Sequence, residues 1–205
     1  MKIIVFGANG KTGRIVIEKA LQAGHEVSAF VRDQSKLQIE QPGLTIIEGQ
    51  ATVLADVEQA VAGHELVISC LGSDKGMGKS TILHEMTKNI VAAMKKQDVN
   101  RIIYMASAGV DKEIPGLTGK MVMKMLANPL ADHRNAIAEI KAGGLTYTIA
   151  RPMGLTDKPE TGQYREAMTG IPDKGRSISR ADVADFIVKT IGNSQYENKS
   201  VALSD

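Results

Sequence analysis

The chain has 205 residues, enough for one ordinary domain built round a sizeable core. Hydrophobic residues make up 43% and charged residues 23%, a globular composition that excludes a disordered chain. A net charge of +2 is too even for a polyanion partner, and no Trp with only 3% aromatics leaves little with which to stack nucleic-acid bases. Cys70 is the one cysteine, so an intramolecular disulfide and every multi-cysteine metal site are excluded.

Short apolar runs alternate with longer amphipathic segments. Residues 3–6 are continuous branched and aromatic side chains and predict a buried strand. This run is too short for a signal or a membrane span, which makes the cytoplasm the expected location and a membrane partner unexpected. Residues 11–23 predict a helix, with Ile15, Val16, Ala20 and Ala23 at helical spacing and Gly24 as its stop. Residues 27–31 and 44–47 read as the second and third strands, and residues 56–62 as a short helix closed by Gly63. A fourth strand spans 66–71 and reads as buried on both faces. Residues 81–96 predict a long helix with Ile82, Met86, Ile90, Val91 and Met94 on one side, and Ser80 is a candidate cap. A fifth strand at 102–106, a helix at 131–142 and a sixth strand at 147–150 follow. Ser179 is the expected cap of a helix at 181–191, and 201–203 predicts a final strand. The least regular stretches are 110–130 and 153–177. Strand–helix alternation with doubly buried strands predicts an α/β fold: one Rossmann-like domain over 1–205 with a doubly wound parallel sheet. Small substrate-side elements are expected from 110–130 and 153–180, beyond the carboxyl ends of the strands, where such sheets bind ligands.

Gly7-Ala8-Asn9-Gly10-Lys11-Thr12-Gly13 is a G-x-x-G-x-x-G pattern between the first strand and the first helix. Gly7 permits the tight turn, Gly10 lets backbone approach a pyrophosphate, and Gly13 lets the helix pack closely. The free amides and dipole of the helix start then face the phosphates. Arg32, just past the second strand, suits the 2′-phosphate of NADP(H), and Lys36 adds charge. Asp33 keeps NAD(H) open, since it can bond a ribose hydroxyl or neutralise Arg32. Gly76-Met77-Gly78-Lys79-Ser80-Thr81 imitates a triphosphate-binding loop, but the glycine it needs is replaced by Ser73. Leu71 and Gly72 instead bring the chain close to the cofactor.

Taken together, Gly7 to Gly13, Val31-Arg32-Asp33, Asn89 to Met94, Ser107-Ala108, Gly144 to Pro152, Gly154 to Asp157 and Ile178 to Ala184 resemble the atypical short-chain dehydrogenase/reductases. The resemblance covers essentially the whole chain and is nearest to the NmrA-like and biliverdin reductase B/flavin reductase-like branches. It implies an extended NADP(H), or sometimes NAD(H), with pyrophosphate on Gly7 to Gly13 and 2′-phosphate on Arg32. It also implies Gln50 and Ala51 at the adenine, with Gln50 where the family usually has Asp. Leu71 and Gly72 would line the cofactor, Ala106 and Ser107 would lie at the nicotinamide ribose, and Pro152 and Met153 at the nicotinamide. The family's Tyr-x-x-x-Lys positions fall near Ala131 and Asn135, neither of which can transfer a proton. His133 stands instead where the flavin-reductase branch has a histidine beside the nicotinamide.

Ser107 and His133 are therefore the candidate catalytic residues. A strand-end serine bonded to local backbone, and a polar residue in a helix's first turn, are their plainer readings. Met121, Val122, Met125 and Leu126 predict one buried face, as a lid over a planar acceptor or as an ordinary packed or dimer contact. Cys70 reads as core filler, and His25, His64 and His84 lack ligand spacing, so no metal is expected. The expected activity is hydride transfer from NADPH to a flavin, quinone or similar conjugated acceptor, by a monomer or homodimer. The alternatives are an NADP(H)-sensing regulator without turnover and a sugar-nucleotide epimerase or dehydratase. The missing Tyr–Lys pair argues against the last.

Overall fold

In the computed structural model, which describes residues 1–205 apart from Gln38, Glu40 and Asp74, strands and helices alternate from the start. β1 (Lys2–Phe6), α1 (Lys11–Gln22), β2 (Glu26–Val31), β3 (Leu44–Glu48), α2 (Leu54–Val61) and β4 (Leu66–Ser69) form the first half. α3 (Ile82–Lys96), β5 (Arg101–Met105), α4 (Gly116–Met125), α5 (Ala127–Ala142) and β6 (Thr146–Pro152) follow. The chain ends with β7 (Gly154–Thr156), β8 (Arg165–Ala167), β9 (Ser177–Ser179), α6 (Arg180–Lys189) and β10 (Lys199–Ser204). The main sheet runs β3-β2-β1-β4-β5-β6-β10-β8. Its neighbours are parallel except for β10 and β8. The strand order reverses between β1 and β4, and a crevice opens at their carboxyl ends.

Both faces of the sheet are covered because its central strands carry continuous apolar runs, Ile3 to Phe6 in β1 and Leu66 to Ile68 in β4. Ile3 and Val5 of β1 join a core with Val16 and Ile17 of α1 and with Phe186 and Ile187 of α6. Ile4 and Phe6, pointing the other way, pack with Val57 of α2, Ile90 and Met94 of α3, and Ile137 and Ile140 of α5. The period-2 geometry of a strand thus divides one pentapeptide between two cores.

The two stretches expected to be irregular are more ordered than predicted. Most of 110–130 is helical, and α5 begins at Ala127 rather than at residue 131. Pro129 misleads a reader of the sequence here, since in a first turn the missing N–H has no intrahelical partner to lose. Met121 and Met125 do not form the predicted buried face: they are 69% and 57% exposed. α4 packs instead through Gly119, where a Cβ would lie 2.6 Å from the Ile114 carbonyl oxygen. Within 153–177, β7 pairs with β9 in a second small sheet, and β8 adds an antiparallel edge to β10.

The expected cap at Ser179 is present, its hydroxyl accepting from the Asp182 N–H. The start of α3 is capped by a residue distant in sequence. The buried Asp132 carboxylate accepts the Leu83 N–H at 3.1 Å and the His84 N–H at 3.0 Å, while Ser80 Oγ takes the Ile82 N–H at 3.1 Å. Asp132→Ala is expected to lower the melting temperature by about 3–8 °C, from about 1–2 kcal/mol for a lost cap in a chain of this size. Asp132→Asn, which keeps one acceptor oxygen, should lose roughly half as much. Thermal unfolding by circular dichroism checks both.

Candidate cofactor cleft

The glycine loop is shaped by close backbone contacts. Gly7 has φ +76°, and a Cβ there would lie 2.6 Å from the Cys70 carbonyl carbon, where the chain leaves β4. A Cβ on Gly13 would lie 2.2 Å from the Gly7 carbonyl oxygen, so α1 is drawn against the end of β1 with no space for a side chain. The Gly10 N–H bonds the Gly7 carbonyl at 2.9 Å and closes the turn. No side chain caps α1, and its first turn carries no acid. Its leading amides and positive dipole end are therefore available to an anion.

Beside this helix start lies a cleft of about 810 Å³. It is lined by nine residues expected to line the bound dinucleotide: Gly7, Ala8, Asn9, Gly10, Arg32, Gln50, Ala51, Leu71 and Gly72. It also contains Phe30, Val31, Asp33, Lys36, Thr52, Cys70, Ile82 and Met86. Its size, the uncapped helix start and the glycine cradle all fit a dinucleotide. Thr12 and Gly13 are buried in the first turn of α1 behind the loop. The Lys11 side chain turns away to Asp157, at 2.6 Å, and Asp157 also pairs with Arg180 at 2.5 Å. The hydrogen bond from Lys11, more than any other contact, holds the Asp157 carboxyl below the usual range.

At one end of the cleft the chain turns through Gln34–Lys36. Asp33 accepts the Ser35 N–H at 3.0 Å and the Ser35 hydroxyl at 2.6 Å, and Lys36 Nζ stands 3.3 Å away. These contacts, led by the Ser35 hydroxyl, depress its pKa. The carboxylate is engaged in its own turn, and Arg32 is exposed at the cleft. Gln50 donates its N–H to Asp56 at 2.9 Å, and the Ala51 carbonyl receives the Asn89 amide at 3.0 Å, which fastens this loop to α3. A side chain at Gly49 would meet the Phe30 ring at 2.9 Å.

The remaining candidates stand apart from this cleft, at the carboxyl ends of β5 and β6. Ala106 N–H bonds the Ala150 carbonyl at 2.8 Å, and Ala108 N–H bonds Pro152 at 2.9 Å. Ala106 and Ser107 therefore run alongside Pro152 and Met153. Ser107 Oγ donates to the Ala108 carbonyl at 3.1 Å, the plainer of its two readings. His133 Nδ1 lies 2.9 Å from the hydroxyl of buried Tyr104. Desolvation pushes the His133 pKa down to about 4 and the Tyr104 pKa up. His133 is thus a neutral imidazole at physiological pH. With α5 starting at Ala127, it sits in the helix's second turn, not its first.

Two arginines escaped the sequence reading. Arg14 bridges the glycine loop and the Gln34–Lys36 turn, and its position directly after Gly13 is the signal that could have found it. Arg151 is 2% exposed and pairs with Glu113, so the segment before α4 is tied to the end of β6. Cys70 is buried, and desolvation pushes its thiol up to about 12, which leaves it inert. The triphosphate-loop imitation is defeated structurally as well, because Asp132 already occupies the α3 amides. Among the described residues no group of three or more His, Cys, Asp or Glu could hold a metal ion, and no helix is long and apolar enough to cross a membrane.

Residues 7–194 match the model of the NAD(P)H-binding family. An uncharacterized chloroplastic protein of Arabidopsis thaliana is 30% identical over 98% of this chain and 76% of its own length. The divinyl chlorophyllide a 8-vinyl-reductase of the same plant is 27% identical over 93% of this chain, which spans 50% of that enzyme. A Rossmann-fold NAD(P)-binding protein from Shigella flexneri superposes with a TM-score of 0.80 at 28% identity, over 100% of this chain and 93% of its own. By the match of its glycine loop and nearly all that follows, the chain belongs to the NAD(P)H-binding family of Rossmann-fold proteins.

Proposed function

We propose that the protein is an NADPH-dependent reductase whose acceptor is a flavin, quinone or similar conjugated molecule. The observation that carries this reading is the lack of an acid usable at neutral pH among the candidates at the carboxyl ends of β5 and β6. By the resemblance, Ala131 and Asn135 stand near the positions where a tyrosine and a lysine would act, and His133 is held neutral. Alcohol–ketone exchange and sugar epimerisation need a positioned proton donor or base. A conjugated acceptor spreads the incoming charge over its ring system and can draw its proton from water.

Bound NADPH supplies the hydride, and the chain's residues supply position. The amides at the start of α1 take the pyrophosphate. Arg32 takes the 2′-phosphate, with Lys36 beside it. Leu71 and Gly72 let the dinucleotide lie extended toward β5. Ala106, Ser107, Pro152 and Met153 flank the nicotinamide, and Ser107 and His133 orient the acceptor through hydrogen bonds. A relative named for reducing a vinyl group fits this chemistry.

Purified protein should consume NADPH only when a flavin or quinone is added. Tight binding without consumption would favour a sensing regulator, and conversion of a sugar nucleotide would favour an epimerase. Arg32→Ala should weaken NADPH by about 1.5–3 kcal/mol, the worth of a charged hydrogen bond, with little change for NADH. Equal losses for both cofactors in calorimetric titration would sink the NADPH assignment.

The pH dependence follows from His133. Its folded pKa, about 4, lies below the ordinary histidine value, so the neutral form favours folding. That contribution is present above about pH 6.5 and is lost as the pH falls toward 4. The turnover profile should therefore show no histidine inflection between about pH 6 and 8. On acidification His133→Gln should lose less stability than the wild type, measured by urea unfolding at each pH.

A further inference from the structure

We infer that Arg14 sets the preference for a 2′-phosphorylated dinucleotide without touching it, by fastening the glycine loop to the turn that carries Arg32 and Lys36. The inference rests on the NADPH reading of the cleft. Arg14 is half-buried in α1, immediately after Gly13, and does not line the cleft. Its Nε donates to the Asn9 carbonyl at 3.2 Å. Its Nη2 donates to the Asn9 side-chain oxygen and to the Lys36 carbonyl, the latter at 2.5 Å. One rigid guanidinium thus joins two loops that both line the cleft, reaching from Arg14 to a carbonyl 22 residues further along the chain.

The far side of the turn has its own anchor. Glu48 of β3 accepts the Gln34 N–H at 3.0 Å, and Asp33 organises the turn internally. Without Arg14 the turn would remain folded and attached to β3, but its distance from the glycine loop would no longer be set. That distance matters unequally to the two cofactors. Both place a pyrophosphate on the glycine loop and the start of α1. Only the 2′-phosphorylated cofactor must also reach Arg32 and Lys36 from the same adenosine. Arg14 is therefore a positioning residue. Its effect comes from geometry, because a planar fork can hold acceptors in two loops at a fixed spacing and a lysine's point charge cannot.

The test measures dissociation constants calorimetrically for NADPH, NADH, adenosine 2′,5′-bisphosphate and 5′-AMP. The proteins are the wild type, Arg14→Lys, Arg14→Ala and Arg32→Ala, with thermal unfolding of each. Both Arg14 variants should bind NADPH and the bisphosphate about tenfold more weakly, while NADH and 5′-AMP change less than about threefold, as expected for losing charged hydrogen bonds that serve one subsite. Arg14→Lys failing to restore selectivity is part of the expectation. Parallel losses for both cofactors, no loss, or full rescue by Arg14→Lys would overturn it. Should Arg14→Ala fail to fold, Arg14→Lys alone decides. A wild type indifferent to the 2′-phosphate, with Arg32→Ala also without effect, would instead overturn the NADPH reading itself.

Discussion

A helix can present its leading amides to a phosphate only where no side chain stands between them and the crevice. Here that condition is met by contact between backbones. Gly7 lies against the chain leaving β4, and Gly13 lies against the carbonyl of Gly7. A methyl group at either position would need space already filled by main chain, which cannot swing aside as a side-chain tip can. The absence of an N-cap side chain on α1 belongs to the same design. Capping residues satisfy helix amides, and α3 shows the alternative, with Asp132 closing its first turn. The same fold therefore holds two helix starts at the carboxyl edge, one left open for an anion and one closed by a buried carboxylate.

Charge near the open helix is arranged so that carboxylates are occupied elsewhere. Asp33 is held by its own turn, Glu48 by the Gln34 amide, Asp56 by the Gln50 amide, and Asp157 by Lys11 and Arg180. Each of these four carboxylates thus orders a loop and is partly offset by the donors it holds. Arg32 remains exposed among them, while Arg14 joins two of the ordered loops. Several of these contacts are solvent-exposed and individually weak. Their effect lies in fixing loop positions relative to α1, a geometric role that survives screening better than a pairwise attraction does.

The sheet was legible because both of its faces are covered: continuous apolar runs at 3–6 and 66–68 have few other places to go in a chain of this kind. The glycine loop was legible because its spacing is a steric requirement. The cap of α3 was not, since Asp132 lies about fifty residues beyond the helix it serves, and no local pattern encodes a partner at that distance. The same holds for Arg14 and Lys36 and for Arg151 and Glu113. α4 was obscured for a different reason. Its glycines read as breakers, yet Gly119 exists to let the helix approach the Ile114 carbonyl. Met121 and Met125 face outward, while Val122 and Leu126 of the same stripe are half-buried and Leu126 packs on the core, so spacing found the stripe and placed only part of it correctly.

The environment of His133 narrows the chemistry further than its identity does. A solvated histidine would divide its time between two protonation states near neutrality and could serve as an acid. Beside the buried Tyr104 hydroxyl and largely desolvated, this one remains an uncharged ring. An uncharged imidazole orients partners through a donor or an acceptor, but it surrenders a proton too reluctantly to assist a poor leaving group or a localised alkoxide. Acceptors that delocalise charge ask for no such assistance. They ask for a flat, dry approach to the nicotinamide, and where the resemblance would put that ring the chain carries apolar residues: buried Ala106 and Pro152 and half-buried Met153. Restricting proton supply at this edge would therefore select conjugated acceptors by default, through what the fold withholds as much as through what it offers.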